Sequence, residues 1–185
     1  YDEYGRVNKT MSWEMANPLF EAECGNYDEG ASRSFTNTLS FRWDVLPGFF
    51  INGTGTIVTS RERTEKFISP ESNEFKDVAN RSEQGSLSIN NIRRLSYEGK
   101  FVVNYAKNLG QDYLLTLHGG FDISKKTQTM DGYTAYGFYK SSLHAPNFAA
   151  GFGEGRRPTG TDDIETSVGP FINANFIMKN RYFVD

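Results

Sequence analysis

Residues 34–62 alternate apolar and polar side chains on both sides of a Pro-Gly turn. On the first arm the large apolar residues occupy odd positions, and on the second arm apolar residues and glycines keep the same parity. A period of two is typical of a β-strand with one apolar and one polar face. The two arms can therefore form a hairpin whose apolar side chains share one face. These odd positions hold Phe35, Leu39, Phe41, Trp43, Phe49, Ile51, Gly53, Gly55 and Ile57.

The same alternation returns further along the chain. Odd positions are apolar in residues 95–105 and again in 113–123, on either side of a short turn. Even positions are apolar in residues 168–178, before a tight turn at 179–181 and a sixth strand that begins at Tyr182. Each long run has the length of about 9–11 residues that crosses a bilayer as a tilted strand.

Aligning the aromatic residues next to each turn predicts the strand registers. In the first hairpin Trp43 lies opposite Phe49, and in the second Tyr105 lies opposite Tyr113. These alignments also predict the pairs Phe41–Ile51, Leu39–Gly53, Phe35–Ile57, Val103–Leu115, Phe101–Leu117, Gly99–Gly119 and Tyr97–Phe121.

Residues 1–31, 63–84 and 125–162 lack sustained alternation and contain many turn-forming residues, which predicts long loops. These loops alternate with the tight turns along the chain. In a meander, alternate connections lie at the same end of the sheet. Outer-membrane barrels have this arrangement, with short periplasmic turns and long extracellular loops. The predicted fold is therefore all-β, an antiparallel up-and-down meander that forms part of a transmembrane β-barrel with long extracellular loops.

Aromatic residues flank every tight turn, as a girdle at one membrane interface requires. The predicted girdle consists of Trp43, Phe49, Tyr105, Tyr113, Phe176 and Tyr182. The opposite parity is polar, and we expect it to line a wet lumen. Its residues include Arg42, Asn52, Glu98, Lys100, Asn104, His118, Asp122, Asn173 and Asn175.

Charge and isolated reactive residues argue against several classes of function. The net charge of -3 provides no basic excess for nucleic acid. Cys24 is the one cysteine, and His118 and His144 lie far from it in sequence, so no catalytic constellation is evident. The acidic run at 162–165 does not match the spacing of a calcium loop. We expect neither an enzyme nor a cofactor or metal site.

Residues 132–157 interleave aromatic side chains with two arginines in the longest predicted loop. Exposed aromatic residues in a long loop are typical of a contact surface. We predict that this loop contacts the ligand or a lid protein. The alternative is that its aromatic residues only pack the loop against its neighbours. The candidates are Tyr133, Tyr136, Phe138, Tyr139, His144, Phe148, Arg156 and Arg157.

Five short motifs follow one another in order along the chain. They are YDEYGRVN leading to Asn17-Pro18-Leu19-Phe20, Leu39 to Trp43 before the Pro47-Gly48 turn, Phe67-Ile68-Ser69-Pro70-Glu71 before Phe75, Gly85-Ser86-Leu87-Ser88 before Tyr97, and Lys179-Asn180-Arg181-Tyr182. In this order and spacing they resemble the SusC/RagA-like TonB-dependent transporters of the Bacteroidetes outer membrane. The resemblance spans nearly the whole chain.

The resemblance implies a single-chain barrel of roughly 22 strands with a plug, lidded by a SusD-like surface lipoprotein and energised through TonB. Such transporters import oligosaccharides or peptides across the Gram-negative outer membrane. We expect residues 1–185 to be one segment of that barrel domain, without its plug, its TonB-contacting region or its remaining strands. The alternative is a soluble all-β carbohydrate-binding module, whose odd face would be buried against a second sheet.

Overall fold

The computed structural model describes residues 2–11, 15–179 and 181–184, and its strands form one six-stranded sheet. Neighbouring strands follow chain order, which confirms the predicted antiparallel meander. Of the sequence motifs, Tyr1 and Asn180 lie outside the described residues. The strands are β1 (Tyr27–Leu46), β2 (Phe49–Ile68), β3 (Ser86–Asn108), β4 (Tyr113–Tyr136), β5 (Thr159–Met178) and β6 (Tyr182–Val184).

Helical structure is sparse in the described part of the chain. It comprises the helix α1 (Pro18–Glu23) and 3-10 turns at Asn73–Phe75, Arg81–Glu83 and Pro146–Phe148. None of these described helices is long and apolar enough to span a membrane.

The long strands have 20–24 residues, about twice the predicted length. The predicted loops 63–84 and 125–162 are therefore wrong at their ends. β2 continues to Ile68, β4 continues to Tyr136, and β5 begins at Thr159.

Polar side chains pair across these additional strand segments. The hydroxyls of Ser88 and Thr134 lie 2.8 Å apart, and Asn91 Nδ2 donates to Asp131 Oδ2 at 2.8 Å. Because both faces are largely polar here, hydropathy with a period of two does not mark these strand ends. Backbone pairing extends the strands beyond the apolar runs.

The N-terminal segment also differs from the loop predicted over residues 1–31. Asn17 caps α1 by accepting a hydrogen bond from the Leu19 amide at 3.1 Å, and Pro18 is the first residue of the helix. β1 then begins at Tyr27. Asn-Pro is typical of both turns and helix starts, so composition alone does not separate the two structures.

Short and long connections alternate as predicted. Two residues join β1 to β2, with Gly48 at φ 80°, and residues 109–112 join β3 to β4. Residues 69–85 and 137–158 form the long connections. In an antiparallel meander the long connections share one end of the sheet, opposite the short ones.

The first hairpin is offset by two residues from its predicted register. The hydroxyls of Thr38 and Thr56 lie 3.1 Å apart, and a Cβ on Gly53 would lie 2.1 Å from the Phe41 ring. Phe41 therefore lies beside Gly53 and not beside Ile51. The strands therefore pair closer to the turn than the predicted alignment of Trp43 with Phe49 allowed. An even offset leaves both faces unchanged.

The second hairpin is offset by four residues. Phe101 stacks on Phe121 with ring centroids 5.6 Å apart, whereas the predicted partner was Leu117. Gly99 lies against Ile123, with a Cβ position 3.0 Å from that side chain. The offset arises because both strands stay paired up to their short turn. The assignment of faces is again unchanged.

The chain divides into two compact units. The first comprises Tyr1–Arg33, Arg61–Ile92 and Thr129–Thr161, and the second comprises Ser34–Ser60, Arg93–Gln128 and Asp162–Asp185. The first unit holds a buried apolar cluster. Its members are Phe67, Leu87, Ile89, Ala135 and Phe138.

The second unit exposes the face that the sequence predicts to contact lipid. Leu39 is 73% exposed and Ile172 is 85% exposed. Within the described residues no second sheet covers this face, so the packing that a soluble sandwich requires is not observed. Further exposed members are Phe35, Phe41, Trp43, Ile57, Tyr97, Phe121, Ile123 and Val168.

We predict that Gly120→Ala destabilises the full-length protein, whereas Gly119→Ala does not. A Cβ at Gly120 would lie 2.1 Å from the Phe101 carbonyl oxygen, but a Cβ at Gly119 meets no atom closer than 3.9 Å. Such overpacking costs about 1–3 kcal/mol. The temperature at which the folded protein changes its migration on a denaturing gel measures the effect. Equal midpoints for the two variants would contradict this cross-strand contact.

Candidate functional site: the polar face and the long-loop end

Paired charges lie on the polar face of the second unit. Arg42 Nη2 lies 2.9 Å from Asp44 Oδ1, and Lys100 Nζ lies 3.7 Å from Asp122 Oδ1. All four side chains are more than half exposed. Ion pairs at this exposure contribute little to stability. Their charges therefore remain accessible to a polar solute.

His118 and Asn104, two predicted lumen residues, contact each other. His118 Nδ1 lies 2.6 Å from Asn104 Oδ1, and because an amide oxygen only accepts, the ring nitrogen donates. Asn104 is buried, and its Nδ2 has no hydrogen-bond partner among the described residues. A water or a carbonyl group would satisfy such a donor. The hydrogen bond fixes the orientation of the imidazole ring on the polar face.

A cavity of about 430 Å³ opens on the same polar face. On its wall Arg94 Nε donates to Gln128 Oε1 at 2.7 Å. Combined charges and hydroxyls can hydrogen-bond both sugars and peptides. None of the residues that line this cavity was predicted from the sequence as a site residue. The even or odd position of each polar residue along its strand is the feature that could have assigned them to the polar face. They include Ser60, Arg94, Ser96, Lys126, Asp163 and Glu165.

A second cavity on this face, of about 450 Å³, is lined by hydroxyls and charges. The hydroxyls of Ser124 and Ser167 lie 2.8 Å apart at its edge. Three predicted lumen residues contribute to it, together with two threonines. These are Glu98, Lys100, Asp122, Thr54 and Thr56.

In the first unit, aromatic residues of the long loop pack against the strands. The Phe67 ring centroid lies 5.3 Å from that of Phe138 and 5.7 Å from those of Tyr27 and His144. Phe138 is 1% exposed, and Tyr133 packs against the same cluster. Phe138 and His144 thus contact the strands from the long connection, and the His144 side chain stays exposed. Tyr133 and Tyr136 lie in β4 and not in the predicted loop. Whether these residues also contact a ligand or a lid stays a prediction.

A hydrogen-bonded carboxylate lies beside this cluster. Arg63 Nη2 donates to Glu65 Oε2 at 2.8 Å, and the Tyr27 hydroxyl donates to Glu65 Oε1 at 2.7 Å. The bond from Arg63, followed by that from Tyr27, holds the pKa of Glu65 below its usual range. Burial, followed by the bond to this carboxylate, raises the pKa of Tyr27. The pair thus fixes β1 to β2 beside the loop.

Tyr136 and Arg156 line a third cavity, of about 460 Å³, in the first unit. The Arg156 guanidinium lies 4.8 Å from the Tyr136 ring centroid and donates to its hydroxyl. These two predicted contact residues are therefore brought together beside an open volume. The cavity is completed by Glu74, Phe75, Val78, Glu83, Gly153 and Glu154.

The other predicted loop residues, Tyr139, Phe148 and Arg157, are exposed. Arg81 donates to the Tyr139 carbonyl at 3.0 Å and places its guanidinium 5.7 Å from the ring centroid. Phe148 lies in a 3-10 turn. Their side chains are accessible to a partner.

The predicted girdle residues contact one another in pairs beside the tight turns. The ring centroids of Phe49 and Tyr105 lie 6.4 Å apart, and Tyr113 stacks on Phe176 at 5.8 Å. The second contact joins the odd face of β4 to the even face of β5, as the apolar patterns require. A position at a membrane interface stays a prediction. The other two members, Trp43 and Tyr182, are exposed.

Reactive groups are few in the described residues. There, no group of three or more His, Cys, Asp or Glu side chains is arranged to hold a metal ion. Cys24 is buried, and burial raises the pKa of its thiol to about 11. Such a thiol is protonated at neutral pH.

Comparison with known proteins places this geometry in context. No family model and no curated protein matches the chain. The RagAB peptide transporter matches with a TM-score of 0.72 and 15% identity, over 96% of this chain and 20% of that chain. The RagAB peptide importer in the open-open state matches with a TM-score of 0.70 and 15% identity, over 96% and 19%. The RagAB peptide importer in the closed-closed state matches with a TM-score of 0.72 and 14% identity, over 95% of this chain and 19% of that chain.

The chain thus spans about a fifth of the length of the solved chains that it matches. At these identities the likeness concerns the fold alone. The resemblance to SusC/RagA-like transporters is confirmed at that level: this chain has the fold of a portion of a RagAB chain.

Proposed function

We propose that this chain forms part of the wall and long loops of an outer-membrane transporter that imports oligosaccharides or peptides. The observation that carries the proposal is a single sheet with one exposed apolar face and one polar face. Hydrocarbon on one side and water on the other satisfy both faces, as in a barrel wall. The likeness to the RagAB structures supports it. The proposal includes no catalytic step and no cofactor.

In this proposal the polar face lines the lumen. Its cavities of about 430 and 450 Å³ offer hydroxyls and charges of both signs along neighbouring strands. Each hydrogen bond to a solute contributes only about 0.5–1.5 kcal/mol in a solvated setting. A sugar or peptide would therefore bind each cavity weakly enough to move on to the next.

We further propose that a SusD-like surface lipoprotein covers the long-loop end, and that TonB acts through regions outside this segment. The sequence resemblance supports both partners. Exposed Tyr139 and Phe148 offer an apolar contact surface, and the cavity beside Tyr136 offers room for a ligand group. The location that follows is the outer membrane of a Gram-negative, Bacteroidetes-like cell.

We predict that Ile172→Arg reduces membrane assembly and thermal stability of the full-length protein and that Asn173→Arg is tolerated. Ile172 is exposed on the apolar face, and its neighbour Asn173 lies on the polar face. An arginine facing lipid costs about 2–4 kcal/mol at the bilayer midplane, whereas an arginine in the lumen keeps its water. Membrane fractionation and the heat-dependent gel shift measure assembly.

Uptake of labelled oligosaccharides and oligopeptides by cells that make the full-length protein measures transport. The unchanged protein and Asn173→Arg should import one of the two solute classes, and Ile172→Arg should import less of it in proportion to its reduced assembly. Equal assembly of the two arginine variants would contradict the orientation. A correctly assembled protein that imports neither class would contradict the transport function.

We predict that Tyr136→Ala and Tyr139→Ala together reduce uptake or the amount of lipoprotein that copurifies. Tyr136, the last residue of β4, forms a cavity wall, and the exposed Tyr139 lies in the loop that follows. The two single variants, measured separately, then distinguish an effect of the cavity residue Tyr136 from an effect of the exposed residue Tyr139. Tyr4→Ala is the control, because Tyr4 is an exposed tyrosine outside the loop. Wild-type uptake and copurification in the double variant would exclude the loop as a contact surface.

A further inference from the structure

Two arginines lie opposite each other on the apolar side of β1 and β2, away from the polar face. Within the first unit, Tyr27 stacks on Phe67 with ring centroids 5.7 Å apart. Counting six residues along each strand from this contact places Arg33 opposite Arg61. Because six is an even number, both arginines share the face of the Tyr27 and Phe67 rings.

Neither arginine has a protein partner that offsets its charge. Both side chains are exposed, and among residues 2–11, 15–179 and 181–184 neither forms a hydrogen bond or ion pair. The nearby carboxylate of Glu65 is already bound by Arg63 and by the Tyr27 hydroxyl. Like charges directly opposite on antiparallel strands are destabilising. The pair therefore favours an anion from outside the chain.

The positions of the two arginines along their strands match a membrane interface. Arg33 comes two residues before Phe35, the first residue of the apolar run on β1, and Arg61 comes four residues after Ile57, the last apolar residue of the run on β2. Both arginines therefore flank the apolar runs of their strands. Long basic side chains at the ends of apolar membrane segments are typical of the interface, where the charged group reaches water and headgroups.

We propose that Arg33 and Arg61 bind the phosphate group of an anionic lipid at the long-loop end; this site rests on the proposed membrane function. Guanidinium groups form paired, charge-assisted hydrogen bonds to phosphate oxygens. Directly opposite residues have Cβ atoms about 4.5–5.5 Å apart, so one phosphate can contact both side chains. A bound lipid removes the repulsion between the arginines and fixes the height of this part of the wall in the bilayer.

The test uses the full-length protein in detergent, titrated with phosphatidylglycerol or with phosphatidylcholine, and counts retained lipids by native mass spectrometry. We expect the unchanged protein to prefer phosphatidylglycerol and Arg33→Gln/Arg61→Gln to bind it roughly 30-fold more weakly, about fivefold for each arginine. The preference should weaken as salt is added. The control is Lys107→Gln/Arg181→Gln, which removes equal charge beside the tight turns and should keep the preference.

Equal losses in the two double variants, or no preference for phosphatidylglycerol in the unchanged protein, would overturn the site. Displacement of the lipid by an equal concentration of glycerol phosphate would assign the site to a free anion and overturn the lipid proposal. The heat-dependent gel shift is recorded for every sample. A protein that shifts but shows no lipid preference refutes this site alone, whereas an unchanged protein that needs no detergent and does not shift refutes the membrane function.

Discussion

The apolar face of a single β-sheet has to be covered by something outside that sheet. Burying a large apolar side chain contributes about 1.5–3 kcal/mol relative to leaving it in water. Ten such side chains, from Phe35 to Ile172, are exposed on this face of the second unit. Because these side chains are 44–85% exposed, their combined exposure would cost roughly 9–17 kcal/mol, as much as the net stability of about 5–15 kcal/mol of an ordinary domain. A lipid environment, as in the proposed barrel wall, would remove this cost.

The long-loop end solves a different packing problem. Its strands have largely polar faces, and paired side chains together with a small core hold them in place. Phe138 reaches from the loop into a cluster with Phe67 and Leu87, and Glu65 binds Tyr27 beside it. Beside this anchored loop, Tyr136 at the end of β4 and Arg156 in the loop line an open cavity. A loop fixed at some residues and open at others is suited to contact a ligand or a lid.

Parity and turns were predictable from the sequence because they depend on local properties. The alternation around Phe41 and the Pro47-Gly48 turn correctly predict two faces and a hairpin. Register was not predictable from aromatic alignment, because pairing begins at the turn and the ring of Phe41 fits over Gly53, which has no side chain to displace it. Strand length was missed because hydrogen bonds between backbones extend strands where hydropathy shows no period.

The candidate site divides in the same way. The alternation of the sequence placed Lys100 and Asp122 on the polar face, and the structure places both beside one cavity. The sequence could not separate Phe138, which is buried, from Tyr139, which is exposed, because both are aromatic residues of one loop. That difference arises from contacts between residues that are distant in sequence. The same holds for Arg33 and Arg61, which only strand pairing brings together.

Nitroxide labels along β1 of the full-length protein measure which face of the sheet meets lipid. Labels are placed one at a time at Thr38, Leu39, Ser40 and Phe41, with Cys24 replaced by serine and no other accessible thiol present. Collision rates with oxygen, which concentrates in lipid, and with a water-soluble nickel complex are then compared. We expect high oxygen accessibility at Leu39 and Phe41 and high nickel accessibility at Thr38 and Ser40. Labels that show no alternation, or the opposite alternation, would contradict a wall with its odd face toward lipid.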